Sequence, residues 1–210
     1  MHAVSALLGA LFKLAMFLAL IATVLRVLYV DDYVMPHNGM APTLVVGDHL
    51  LVWRRAQVDM GNVAVCTHPT RPNDTVIGRA VAFGGHTVST ETPNALLVDD
   101  DRASVDFLGE LRFFDVTRQK LFMMRLGATD YRRKHRHEFF VEQGSDFHLA
   151  PHPVERGIYL LGDNRTDGWN DSREFGEVER TGCKGEAFLR LTISPKRQDD
   201  LVRGRLAWLY

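Results

Sequence analysis

The sequence predicts a mainly β fold behind an N-terminal hydrophobic helix. Residues 3–30 are almost wholly apolar, short segments rich in β-branched and aromatic residues recur after them, and no long helical period follows. With 210 residues, of which 46% are apolar and 24% charged, the chain can bury a substantial core. We therefore expect a helix over residues 1–30 and one main domain over residues 31–210.

The first element is the hydrophobic helix. It would be roughly 42 Å long, enough to cross a bilayer. A charge inside a membrane span costs roughly 2.5 to 3.5 kcal/mol, so Lys13 would have to snorkel, or the helix would have to lie against another protein. The sequence leaves a membrane anchor and a partner-bound helix as alternatives.

The strands follow as short segments bounded by glycine and aspartate turns. Their β-branched and aromatic content is typical of sheet structure. The predicted strands are 49–53, 62–66, 75–83, 157–161 and 187–193. We find no internal repeat, and together the segments indicate an antiparallel β domain.

Charge and cysteine content say little about partners. The net charge of −1 gives no global reason to expect nucleic acid or an anionic membrane surface. Cys66 and Cys183 are too few for a disulfide framework, and they either pair or remain thiols.

Three blocks of the sequence resemble motifs of the type I signal peptidases. The first is residues 35–48, which contains Gly-Met-Ala-Pro-Thr-Leu-Val-Val-Gly-Asp, the second is residues 75–88, and the third is residues 162–176, which contains Gly-Asp-Asn-Arg and Asp-Ser-Arg. The family includes bacterial signal peptidases and the protease subunits of the mitochondrial inner membrane. The resemblance implies a mostly antiparallel β fold behind an N-terminal membrane anchor.

The residues that perform chemistry in this family are missing. Gly39 stands at the position of the serine nucleophile, and Gly78 stands at the position of the lysine base. Trp169 falls where many members have a serine that holds the lysine amine, and His37 replaces a hydroxyl that serves as oxyanion donor. Since glycine supplies neither an oxygen nor an amine, the resemblance implies a pseudoenzyme.

The third block keeps its polar residues, which we expect to fix a loop and to have no catalytic role. These residues are Asp163, Asn164, Arg165, Asp171, Ser172 and Arg173. An active alternative would need a water activated by His37, His49 or His86, or by a metal bound to them. We predict neither a metal site nor a cofactor.

Residues 89–153 have little family resemblance and are interpreted as a divergent insertion. It contains a basic cluster at residues 131–137, whose members Arg132, Arg133, Lys134 and Arg136 are candidate contacts for RNA phosphates or for a protein partner. The alternative is a solvated hairpin tip.

Two function classes remain. The first is a structural or assembly factor in a larger, mitochondrial complex that contains RNA if the basic cluster binds it. The second is a subunit of an inner-membrane signal peptidase complex, noncatalytic beside an active sister subunit or active through unusual groups. The resemblance and the absence of acids before Asp31 point to the mitochondrial inner membrane or to a matrix-associated location.

Overall fold

The computed structural model describes residues 2–54, 56–131, 135–168, 170–191 and 206–209. Helix α1, His2–Tyr29, is followed without a linker by strand β1, Val30–Val34. Within α1, Leu8–Tyr29 is long and apolar enough to cross a membrane, with a mean hydropathy of 2.3, and none of that span is buried against the protein. Lys13 lies near the N-terminal end of this span, where a lysine can snorkel to the interface.

A seven-stranded sheet forms the body of the domain. After β1, its members are β2 (His49–Trp53), β3 (Val63–Thr67), β4 (Thr75–Phe83), β12 (Ile158–Leu161), β13 (Cys183–Leu191) and β14 (Leu206–Trp208). The strand order is β1-β2-β13-β3-β4-β12, and β14 pairs with β13. The strand pairs are antiparallel. The mainly β prediction is confirmed, and β2 and β4 have the predicted bounds.

The predicted insertion folds into two further sheets. The four-stranded sheet has the order β11-β5-β6-β7, and the three-stranded sheet has the order β10-β9-β8. Their strands are β5 (Thr87–Thr92), β6 (Ala95–Val98), β7 (Asp101–Arg102), β8 (Ser104–Asp115), β9 (Lys120–Tyr131), β10 (His135–Glu142) and β11 (His152–Pro153). Two short helical elements, α2 (Ser172–Phe175) and a 3-10 turn (Arg180–Gly182), follow β12.

The two faces of the main sheet bury separate apolar clusters. One cluster packs Leu50, Val65 and Ile77 against Met40 of the first block. The other packs Ala64 and Leu160 on the opposite face. This alternation follows from the strand geometry, in which successive side chains point to opposite sides. The sheet thereby holds the second block rigidly between two packed layers.

Cys66 of β3 and Cys183 of β13 form a disulfide across paired strands. The two cysteines are 117 residues apart in sequence. The structure therefore decides for pairing, an alternative that the sequence left open.

Candidate functional site

The first block forms a closed loop after β1. Its ends are joined because the Met35 N–H donates to Asp48 O at 2.8 Å and the Gly47 N–H donates to Met35 O at 2.9 Å. The Asp48 carboxylate also accepts the Val45 N–H at 3.0 Å. Gly39 is buried within this loop.

The third block meets the loop at Gly39. The Asn164 N–H donates to Gly39 O at 3.0 Å, and the Asn164 side-chain amide donates to Asn38 O at 3.3 Å. A Cβ at Gly162 would lie only 2.4 Å from Gly39 O, so residue 162 must be glycine for this close approach. The first and third blocks are therefore in direct contact, and together they form one wall of the candidate site, which we define by Asn38, Gly39, Gly162 and Asn164.

Gly78 lies inside β4, opposite Ala64 of β3. A Cβ built at Gly78 would be 3.0 Å from the Leu160 Cβ and 3.7 Å from the Leu161 N. The first distance is tighter than ordinary van der Waals contact, so the neighbouring strand β12 crowds the side-chain position of residue 78. The segment 160–162 thus contacts both glycine positions.

The His37 ring accepts a hydrogen bond from the backbone at the first glycine position. The Gly39 N–H donates to His37 Nδ1 at 3.0 Å. Burial lowers the pKa of His37 below its usual value of 6.5, although Asp167 and Asp171 act in the opposite direction. The neutral ring accepts this hydrogen bond, so the amide already has a partner within the chain.

A buried ion pair lies next to this wall. Asp163 receives a bidentate contact from Arg79, with 2.8 Å from Nε to Oδ1 and 2.6 Å from Nη2 to Oδ2. The side chains of Arg79 and Asp163 are 2% and 0% exposed. The Thr43 hydroxyl donates to Asp163 Oδ2 at 2.6 Å, and Arg79 Nη1 donates to Gly61 O at 2.6 Å.

Electrostatics keep this carboxylate ionised. Burial alone would raise the pKa of Asp163, but the charge and hydrogen bonds of Arg79, with smaller contributions from His137 and Arg165, hold that pKa below its usual value. The pair joins the second block to the third, and Thr43 ties both to the first. Asp163 has the geometry of a structural anchor.

Asp171 organises the remainder of the third block. Its side chain caps α2 by accepting the Arg173 N–H, and it accepts the Gly162 N–H at 3.0 Å. Arg173 donates to the Asp171 carboxylate at 2.6 Å and to the backbone oxygens of Arg165 and Asp167, also at 2.6 Å. Because these partners are groups of the chain itself, the cluster fixes the loop that carries Gly162.

Two hydroxyl groups near the glycines are already engaged. Ser172 Oγ accepts the Leu160 N–H at 2.8 Å, and Thr43 Oγ1 donates to Asp163. Ser172 is buried. Both hydroxyl groups therefore stabilise the loops and strands around Gly39 and Gly78.

The insertion also reaches the site. The Asn38 side-chain amide donates to Asp115 Oδ1 at 2.8 Å, and Arg118 donates to Asp167 Oδ1 at 2.9 Å. Asp115 and Arg118 lie at the turn between β8 and β9. Burial would raise the pKa of Asp115, but hydrogen bonds from Thr117 and Asn38 lower it overall. The hairpin is thus clamped to the residue that precedes Gly39.

The candidate histidines each have local contacts. His49 lies 3.4 Å from an Asp32 carboxylate oxygen, and His86 lies 2.5 Å from an Asp99 carboxylate oxygen. Among the described residues, no three His, Cys, Asp or Glu side chains converge as metal ligands. His37, His49 and His86 thus contact three different groups, which are the Gly39 N–H, Asp32 and Asp99.

Several predicted residues lie outside the described part of the chain. They are Trp169, Arg132, Arg133 and Lys134. Arg136, the remaining candidate of the basic cluster, is exposed and lies 3.1 Å from Asp106.

Sequence reasoning missed the partners of the retained block. Arg79 follows Gly78 directly in the second block, but only the structure places it against Asp163, 84 residues away. Thr43 and Asp115 were not singled out at all. Arg79 lies within a family motif, which is a signal for a contact with the other motifs. Asp115 lies in the divergent insertion, where no motif marks it.

Comparison with known sequences decides the family. A sequence model of the family described as Signal peptidase, peptidase S26, matches residues 8–192. The chain belongs to this family. The match includes all three blocks and the predicted insertion.

The chain is similar to proteins named Signal peptidase I from three bacteria. It is 29% identical to the Pseudomonas aeruginosa protein in an alignment 177 residues long that covers 75% of this chain and 59% of the relative. It is 26% identical to the Aquifex aeolicus protein in an alignment 204 residues long that covers 79% of this chain and 79% of the relative. Identity to the Pseudomonas fluorescens protein is 30% in an alignment 173 residues long that covers 73% of this chain and 58% of the relative. The chain therefore spans less than two thirds of the two Pseudomonas relatives.

Proposed function

We propose that this protein is a membrane-anchored signal peptidase-like pseudoenzyme that acts as a structural or assembly factor in a larger complex. The observation that carries the proposal is the pair of glycines at positions 39 and 78. Two contacts support it further: the His37 ring binds the Gly39 N–H, and Leu160 packs against Gly78. A protein with this site has no serine oxygen for attack and no lysine amine to activate one.

A cleavage assay tests the loss of chemistry. The purified full chain in detergent is incubated with signal-type peptides, with and without a metal chelator, beside an active Signal peptidase I. We expect no product above the uncatalysed background in either condition. Turnover that the chelator abolishes would favour a metal-activated water, and turnover that resists the chelator would favour another group of the chain.

The second candidate is a noncatalytic subunit beside an active sister peptidase. It is favoured by the intact scaffold, since the three blocks still pack into one wall through Thr43, Arg79 and Asp163. Purification of the native complex followed by mass spectrometry separates the two. Recovery of an active peptidase supports the sister-subunit function, and recovery of ribosomal or respiratory subunits supports the assembly function.

RNA is retained as a partner hypothesis through the basic cluster. Phosphate contacts would make binding fall steeply with salt. The test compares RNA binding of the wild-type chain with that of an Arg132→Ala, Arg133→Ala, Lys134→Ala variant at low and high salt. An absence of binding at low salt would contradict the hypothesis.

For location we propose an inner membrane, with the mitochondrial inner membrane as our specific hypothesis. The apolar span Leu8–Tyr29 supports membrane anchoring. The Cys66–Cys183 disulfide favours an oxidising compartment for the folded domain. Alkaline extraction of native membranes and a protease-protection assay test the anchoring and the side.

A further inference from the structure

We propose that Cys183 is a site of thiol exchange, at which a small thiol bearing a carboxylate forms a mixed disulfide with the chain. Cys183 is bonded to Cys66 in the structure. It lines an open cleft of about 410 Å³, together with residues 56–59 of the loop after β2 and Arg180 of the 3-10 turn. This cleft includes no residue of the wall at Gly39, and the proposal does not depend on the proposed function.

The two cysteines of the disulfide differ in accessibility. Cys66 is fully buried in the apolar cluster that also contains Ala64 and Val76. Cys183 is partly exposed and lines the cleft. Since exchange requires a thiolate to reach a sulfur atom of the disulfide, attack is directed to Cys183. Cys66 is thereby the leaving group.

Arg180 gives the cleft a positive charge next to Cys183. It lies in the turn that ends at Cys183, and its guanidinium carbon is 4.8 Å from the centroid of the Phe83 ring. Among the described residues, no carboxylate forms an ion pair with Arg180. The guanidinium is therefore available to a carboxylate of the incoming thiol, with which it makes charge-assisted hydrogen bonds. A neighbouring cation also stabilises the thiolate form of a reacting sulfur.

A second charged group in the lining narrows the class of thiol. Asp59 is exposed and lines the same cleft. Its carboxylate has no ion-pair partner within the described part of the chain. A thiol that carries both a carboxylate and an ammonium group therefore finds a partner for each charge, Arg180 for the first and Asp59 for the second. Thiols of amino acids and of short peptides have this pair of groups.

The exchange is a single displacement at sulfur. The thiolate of the incoming molecule attacks Cys183 Sγ, a new S–S bond forms, and the bond between Cys183 and Cys66 breaks. The bonding electron pair leaves with Cys66 Sγ, which takes a proton because a charge in its apolar surroundings is unfavourable. The incoming thiol is oxidised to one half of the mixed disulfide while Cys66 is reduced to a thiol, so no further oxidant or reductant is consumed.

The main sheet keeps its strands paired when this bond opens. β13 still pairs with β3 through residues 185–187 and with β2 through residues 186–191. These backbone hydrogen bonds do not involve the sulfur atoms. The exchange therefore takes place in the folded chain.

Mass spectrometry of trapped adducts tests the proposal. The purified full chain in detergent is incubated without oxygen in reduced glutathione, a thiol that carries carboxylates and an ammonium group. Samples taken at early times are stopped with N-ethylmaleimide. We expect a glutathione on Cys183 and a maleimide on Cys66. Glutathione diethyl ester, which has the same thiol and no free carboxylate, should form the adduct more slowly.

Two arginine variants isolate the role of Arg180. Arg180→Gln should slow adduct formation with glutathione by roughly two- to fivefold, the range that an exposed ion pair contributes, and should leave the rate with the ester unchanged. Arg156→Gln is the matched control, since Arg156 is also exposed and lines a neighbouring cleft with Arg180, but does not line the cleft at Cys183. It should react as the wild type does.

The site of the adduct and its rate each have a contradicting outcome. A glutathione adduct on Cys66 would overturn the proposal, because Cys66 would then be the accessible cysteine. An adduct that forms only after urea is added would also overturn it, because exchange would then require unfolding. Equal rates for glutathione and its ester, with an unchanged rate in Arg180→Gln, would overturn the preference for a thiol that bears a carboxylate.

Discussion

The glycine positions differ from the charged residues beside them in what they keep of the family motifs. Gly39 and Gly78, which the motif resemblance aligns with the serine and the lysine of the family, have no side chain. A few ångströms away, Arg79 and Asp163 keep a buried bidentate ion pair. Residues 160–162 lie next to both glycines, and Leu161 is also opposite Arg79, so the two regions are in contact with the same segment.

The difference follows from what each region does for stability. Removing one partner of a buried ion pair leaves an uncompensated charge, which costs roughly 3 to 5 kcal/mol. Glycine at the two buried positions 39 and 78 leaves no charge without a partner. Glycine at positions 39 and 78 is therefore compatible with folding, whereas removal of Asp163 or Arg79 destabilises the fold.

The largest expected effect is the loss of that pair. We expect Asp163→Ala to lower the free energy of unfolding by roughly 3 to 5 kcal/mol, because Arg79 would remain buried without its counter-ion. The measurement is urea unfolding of the purified chain in detergent. Asp106→Ala is the matched control, since its pair with Arg136 is exposed on both sides and should change little. Equal losses of stability in the two variants would contradict the stabilising role of the buried pair.

The same pair predicts an acid dependence. The pKa of Asp163 is lower in the folded state than its usual value of 3.8, so its stabilising contribution is present above that pH. It is lost as the pH falls through the folded pKa. In Asp163→Asn, the decline in stability below about pH 4 should be shallower than in the wild type.

The next effect concerns restored chemistry. We expect Gly39→Ser with Gly78→Lys to remain inactive while His37 holds the residue 39 amide. Gly39 is not among the glycines with positive φ, so serine fits its backbone. Adding His37→Ser frees the amide and supplies a hydroxyl, and a single oxyanion donor is worth roughly 10²- to 10³-fold in rate. Peptide cleavage by the triple variant, compared with the double, checks this.

Two results would count against this account. Activity of the double variant would show that His37 does not obstruct the donor. Inactivity of a well-folded triple variant would show that freeing the amide is not sufficient. Activity gained on adding Leu160→Ala to that variant would show that packing against residue 78 keeps a lysine from reaching the serine.

A moderate effect is expected at the cap of α2. Asp171→Ala removes the acceptor of the buried Gly162 N–H and the counter-ion of Arg173, and an unsatisfied buried group costs roughly 1 to 3 kcal/mol. Asp171→Asn keeps an acceptor and should lie between the variant and the wild type. Thermal melting compares the three proteins, and an unchanged melting transition in Asp171→Ala would contradict a structural role.

The smallest effect is the titration of His37. Since burial lowers its pKa below 6.5, protonation favours the unfolded chain. Stability contributed by the neutral ring is present above about pH 6.5 and is lost as the pH falls toward the folded pKa. His37→Gln keeps an acceptor without titrating, so its Tm should vary less between pH 5 and pH 7. The difference between the two proteins removes the contribution of His68, whose pKa is also lowered by burial.

Local features of the fold were predictable from sequence. The bounds of β2 and β4 follow from β-branched content between glycine and aspartate turns. The apolar run gave the helix, although its exposure in the structure is what fits a membrane environment. The loop at Gly39 was found through its resemblance to a family motif.

Long-range contacts were not predictable. The disulfide joins positions 117 residues apart, and Asn38 contacts Asp115 across 77 residues. No local pattern encodes such pairs, because they depend on how β13 and the β8–β9 hairpin fold back on the main sheet.

The absence of an oxygen at position 39 and of a nitrogen at position 78 can be read from the sequence, because the residue type fixes which side-chain atoms exist. What surrounds the two positions depends on residues that are distant along the chain, so it follows from the folded structure. The His37 ring accepts the Gly39 N–H, and β12 packs against Gly78. The first contact follows because a buried N–H needs a hydrogen-bond partner, and the second because a packed interior leaves few voids.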